Sequence, residues 1–80
     1  MARIRAYDLE GKAIGGVMLT WDDTGDKRDR MYINNFPVSK IYPQEDGWIV
    51  FDVTWTDRAG KPRMNLKVKS HEYRRVTGDD

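Results

Sequence analysis

The sequence predicts an all-β fold: a small single-domain antiparallel barrel, or a strongly bent sheet, of five to six strands. Three observations carry this reading. Apolar and polar residues alternate over several short runs, most clearly in Trp48–Thr56 and Arg63–Ser70, which is the period of a half-buried strand. Turn-forming residues separate those runs at close spacing, as in small barrels and sandwiches. No segment spaces its apolar residues by three and four over a useful length, so no long amphipathic helix is expected. Among closed forms of this size an SH3-like barrel is preferred over an OB-like one, which usually takes a longer chain and a helix between strands.

The elements follow in order. "ARIRAYD" alternates and forms the first strand. "DLEGK", Asp8–Lys12, is a hairpin loop, and "DRAGK", Asp57–Lys61, repeats its D-x-x-G-K form. Glycine supplies the left-handed backbone such a loop needs, and aspartate can accept from the turn amides. The second strand runs from Ala13 to Trp21, with Gly15 and Gly16 marking a bulge or sharp bend inside it. The polar stretch Asp22–Arg30 has nothing to bury and is expected as a mobile loop. "MYINNF", Met31–Phe36, is a third strand. "VSKIY", Val38–Tyr42, either continues it past Pro37 or stands alone. "PQEDG" turns into the strand Trp48–Thr56, which is followed by Arg63–Ser70. "HEYRRV" reads as a short helical turn and a final edge. The single domain is expected over residues 1–76, with 77–80 as a flexible tail.

A four-residue loop, Arg58–Lys61, would pair Asp57 with Pro62. Trp55 then faces Met64, Val53 faces Leu66 and Phe51 faces Val68, so the apolar residues meet. On the outer side the same register sets Asp52 beside Lys67 as a cross-strand ion pair, Val50 beside Lys69 and Trp48 beside His71. It leaves Arg63, Lys69, Arg74 and Arg75 without partners.

Composition narrows the function classes. Eighty residues allow one domain with a thin core. Cysteine is absent, so nothing requires an oxidising compartment. The opening residues carry Arg3 and Arg5 and no apolar signal core. No apolar run approaches the roughly 20 residues of a membrane span. A cytoplasmic location without membrane attachment is the resulting expectation. Net charge is only +1, but its distribution is uneven. Pro43–Asp57 holds four acids and no base, whereas Arg58–Arg75 holds seven bases against one acid, a local +6.

Catalytic chemistry finds little material here. His71 is the only histidine, and strand neighbours such as Ser70 and His71 point apart. One histidine and no cysteine make no zinc set. "DDTGD" lacks the ligand spacing and distant glutamate of an EF-hand loop. Neither Gly-Lys pair lies in a P-loop frame. Asp22–Asp23 and Asp79–Asp80 sit in a loop and a tail, where no burial would raise a carboxylate for acid catalysis. The expectation is a non-enzyme that needs no cofactor or metal.

Two binding surfaces remain. Arg63, Lys67, Lys69, Arg74 and Arg75, with Trp48 beside them, would make a basic face for DNA or RNA, where cations track phosphates and rings stack on bases. Alternating lysines also keep an edge strand soluble. The other surface is aromatic. Trp48, Tyr32, Tyr42 and Tyr7 are not assigned to the core and could form a groove for a protein partner. That alternative describes an accessory or inhibitor module of phage or plasmid type. The chain is expected as a monomer or a weak homodimer paired through a β-edge at Arg3–Tyr7.

Overall fold

A computed structural model describes residues 2–24, 28–44, 46–57 and 59–78. Six strands and one helix follow in order: β1 Ala2–Tyr7, β2 Ala13–Thr24, β3 Arg28–Ile33, β4 Phe36–Pro43, β5 Trp48–Thr56, β6 Pro62–Lys69 and α1 Ser70–Thr77. Each strand runs antiparallel to its sequence neighbour, and β6 returns to β1 at Lys67 and Tyr7, closing the barrel.

Inward residues of every strand meet inside. Ile4, Ala6, Val17, Leu19, Met31, Ile33, Ile49, Phe51, Val53, Trp55, Leu66 and Val68 form one buried cluster. Trp55 lies in it as expected, and Trp21 packs against its margin. Helix α1 lies against β1 and β6 and sends Tyr73 and Val76 toward the same cluster. The Tyr73 ring meets Phe51 edge-on, with centroids 5.7 Å apart. The helix ends where Gly78 turns left-handed, φ 79°, and donates its amide to the Arg74 carbonyl. The stretch expected as a tail therefore opens with the last helical residue, Thr77; Asp79 and Asp80 lie outside the described residues.

The two D-x-x-G-K stretches form the same loop. Asp8 Oδ1 accepts from the amides of Glu10 and Lys12, each at 2.9 Å. Asp57 Oδ1 accepts from Ala59 and Lys61, at 3.0 and 2.9 Å. Gly11 and Gly60 take φ of 90° and 79° and donate back to the aspartate carbonyl. Gly15 also turns left-handed, at the expected bend, where the β1–β2 register shifts.

Two segments differ from expectation. Asp22–Arg30 is mostly ribbon: Asp22 pairs with Arg30, Asp23 with Asp29 and Thr24 with Arg28, while residues 25–27 lie outside the described residues. Backbone pairing satisfies its amides and carbonyls, so it needs no buried side chains to be a strand. The question of one strand or two across residues 31–42 resolves at Asn34 and Asn35. Their φ angles of 49° and 71° make a two-residue turn of the mirror-image hairpin kind, so β3 stops at Ile33 and β4 starts at Phe36.

The central hairpin is also out of step with the expected register. Asp57 is drawn into the loop by its own hydrogen bonds, so Thr56 rather than Asp57 pairs with Pro62. Trp55 then pairs with Arg63 and Thr54 with Met64. Asn65 adopts φ 65°, and across it the register shifts again, so Phe51 pairs with Leu66 and Ile49 with Val68. Leu66 and Val68 still point inward, but Met64 turns out and keeps 73 % exposure. Asparagine tolerates the left-handed region and β-branched residues do not. Asn65→Val is therefore expected to destabilise by about 1–3 kcal/mol and Asn65→Gly to be tolerated, as read by thermal unfolding.

Candidate nucleic-acid interface

The observed register decides which side chains share the outer face. Val50 pairs with Lys67 and Trp48 with Lys69, while Tyr7 on β1 pairs with Lys67 from the other side. All five alternate with inward residues, so they point away from the core together. The rings of Tyr7 and Trp48 meet edge to face, centroids 5.0 Å apart. The Lys67 ammonium lies 4.2 Å from the Trp48 centroid. The Lys69 ammonium lies 5.4 Å from Tyr7 and 6.0 Å from Trp48. The patch continues onto β4, where Tyr42 pairs with Val50 and Lys40 sits 4.7 Å from the Tyr42 ring. Val50, outward but flanked by these residues, is only 9 % exposed.

Asp52 brings one carboxylate to the β4 side of this patch, away from the two lysines of β6. Among the described residues neither Lys67 nor Lys69 has a carboxylate within ion-pair distance. The expected Asp52–Lys67 pair does not form. Asp52 pairs in register with Lys40, and its carboxylate accepts from the Tyr42 hydroxyl. Lys69, expected to lack a partner, lies over rings instead.

The other predicted cations do not join this patch. Arg63, expected to be free, binds Asp57 with Nε 3.0 Å from Oδ2, beside the β5–β6 loop. Arg74 and Arg75 are exposed on α1, and Arg75 faces a separate cleft beside Arg3 and Arg5. The aromatic set is divided too. Tyr32 lies on β3 and donates to Asp22 at 2.8 Å. These acceptors raise the hydroxyls of Tyr32 and Tyr42 above the ordinary tyrosine range, so both stay neutral donors. Sequence reasoning misses Lys40, Arg3 and Arg5. Arg3, Arg5 and Tyr7 share one parity, a signal open to reading; the closure that sets Tyr7 beside Lys67 has no such signal.

At the opposite end, the two D-x-x-G-K loops flank an apolar groove of about 460 Å³ lined by Leu9, Ile14, Trp55 and Met64. Leu9 is 49 % exposed. The Lys61 amide, the Arg63 guanidinium and the Ala59 amide hold Asp57 below the usual carboxylate range. A depressed carboxylate stabilises the fold above its unfolded value of about 3.9, and the gain disappears as pH falls through the folded value. Asp57→Asn is thus expected to show a smaller drop in melting temperature than the native chain between pH 6 and pH 2.5. Equal drops in both proteins would contradict the assignment.

The fold and the patch together define a small closed β-barrel with a cationic, aromatic outer face. Among the described residues no group of three His, Cys, Asp or Glu side chains could hold a metal, and no helix is long and apolar enough to cross a membrane. Comparison with protein-family models, curated proteins and solved structures finds no match to the chain.

Proposed function

We propose that this protein is a non-catalytic, cytoplasmic binding module that takes nucleic acid on the outer face of β4, β5, β6 and β1. One observation carries the reading: Lys67 and Lys69 rest on the rings of Trp48 and Tyr7, with no carboxylate paired to either among the described residues. Tyr7, which the sequence leaves outside the core, is only 9 % exposed, and Trp48 is half-buried. A cation held over such a ring is stabilised by about 0.5–1 kcal/mol or more, so a phosphate can engage it without breaking an ion pair. Partial burial fixes the Trp48 ring while leaving part of it open to a base. Base–ring stacking contributes about 1–3 kcal/mol per base. We read the barrel as SH3-like, because its strands neighbour one another in sequence order, whereas an OB barrel is a Greek key.

Titration of tryptophan fluorescence with single-stranded and duplex oligonucleotides tests this. The expected result is quenching whose affinity falls with salt, by about 0.7 in log–log slope for each single-strand phosphate engaged. Absence of binding to DNA and RNA alike at 20 mM salt would sink the reading.

A second reading, a protein-binding accessory module of phage or plasmid type, is supported by exposed Met64 and Leu9 in the groove between the loops. It predicts association that is nearly indifferent to salt and weakened by Met64→Lys. Of the aromatic set the sequence suggests for it, Trp48, Tyr7 and Tyr42 lie on the patch of β4, β5 and β1, and Tyr32 lies on β3 beside Asp22.

A further inference from the structure

The cleft between β1 and α1 carries a second concentration of positive charge, apart from the Trp48 patch. Arg3 and Arg5 point outward from β1, and Arg75 faces them from the helix. Gly16, the partner of Arg5 on β2, forms part of the wall of this shallow, open cleft of about 510 Å³. Glu72, one helical turn before Arg75, is the single acid lining it among the described residues. Three guanidinium groups against one carboxylate leave the cleft at +2. Among the described residues none of the three arginines has a carboxylate within ion-pair distance, unlike Arg63.

We infer that this cleft binds a phosphate group. Guanidinium forks match phosphate oxygens two at a time, and a concave, like-charged surface focuses its field on an incoming anion. The wall at Gly16 bears no side chain; a Cβ there would come no closer than 3.9 Å to its nearest neighbour, the Ile4 carbonyl oxygen. The backbone at Gly16 is therefore open to the cleft, and the position tolerates a test substitution. Phosphate could arrive as a free anion or as the phosphodiester of a strand. Arg3, Arg5 and Tyr7 lie on one outward row of β1, so a strand on the Trp48 patch would be led toward this cleft.

The test follows the Gly16 amide and the arginine Nε–H signals by NMR in the whole chain, using pyrophosphate and a twelve-residue oligothymidylate as separate probes. Shifts at Gly16 and Arg5 with pyrophosphate alone identify a free-anion site, and shifts with the oligonucleotide identify a strand site. Either supports the inference, provided that Arg5→Ala with Arg75→Ala weakens the responding probe by about tenfold or more. Gly16→Glu, which keeps every arginine and places a carboxylate on the wall, should weaken it comparably. The inference is overturned if neither probe moves these signals, or if both variants bind as the native chain does. Oligonucleotide binding at Trp48 with a silent cleft would overturn it while leaving the proposed function standing.

Discussion

Phe51→Ala is expected to lower the melting temperature by roughly 12–40 °C, enough to leave much of the chain unfolded at 37 °C. Phe51 is fully buried. It pairs with Leu66 on β6 and Ile41 on β4, and carries the Tyr73 ring on its edge. Removing a buried phenylalanine costs about 3–5 kcal/mol through lost transfer energy and the cavity left behind. A domain of this length has about 4–12 kcal/mol in total, and each kcal/mol moves the midpoint by about 4–8 °C. The helix should loosen with it, since Tyr73 loses the ring it packs on. Met64→Ala is the control. The sequence places Met64 in the core opposite Trp55, but the one-residue shift at the loop pairs it with outward Thr54, so its removal should change stability by no more than about 0.5 kcal/mol. Comparable losses from the two substitutions, followed by circular dichroism on heating, would show that the hairpin register is wrong.

That contrast indicates what the sequence discloses and what it conceals. Alternation in β5 is strong, and Ile49, Phe51, Val53 and Trp55 are all buried as their parity requires. Paired aspartate and glycine at fixed spacing announce both loops. Expectation and structure part where a side chain hydrogen-bonds to nearby backbone or a residue enters the left-handed region. Asp57 joins the loop because its carboxylate captures two amides, which shifts the hairpin by one residue. Asn65 then restores the inward parity of Leu66 and Val68 by a bulge. Asn34 and Asn35 end β3 early, with Asn34 Oδ1 accepting from the Met18 amide across the sheet at 2.9 Å. Alternation alone carries no record of such events, because the parity on either side of them looks unbroken.

The candidate site is legible in part for the same reason. Lys67 and Lys69 lie two apart on one strand, so their shared face is local information. Their encounter with Trp48 depends on the cross-strand register, which the two shifts alter. With Asp57 paired to Pro62, Trp48 would face His71; it pairs with Lys69 instead. The meeting of Tyr7 with Lys67 depends on closure of the first strand onto the last. The edge expected to be free at Arg3–Tyr7 is covered by β2 along one side and approached by β6 and α1 on the other. Charge counting groups Arg63 with the basic stripe because it ignores local pairing, whereas the nearby Asp57 claims that guanidinium.

Lys67→Glu combined with Lys69→Glu is expected to weaken oligonucleotide binding by at least about a hundredfold at 50 mM salt. The double change moves the patch by four charges, from attraction of phosphate to repulsion, and each single-strand phosphate no longer engaged removes about 0.7 from the salt slope. Neither ammonium is tied to a carboxylate among the described residues, so no ion pair is broken and no buried charge is stranded. The stability cost should be confined to three cation–ring interactions, about 0.5–1 kcal/mol each. Replacing both lysines by glutamine separates charge from shape: the flexible stems still cover Trp48, the slope should fall by about 1.4, and binding should be intermediate. Arg63→Glu supplies the opposing case. It adds the same change of charge per residue, but at the loop end beside Asp57 and away from Trp48. If the face of Trp48 and Tyr7 holds the nucleic acid, Arg63→Glu leaves affinity within about twofold once its weak long-range field is screened. Should Arg63→Glu instead reduce binding as much as the double lysine reversal, the attraction would be a general effect of basic charge, and the ring-backed lysines would have no special part in it.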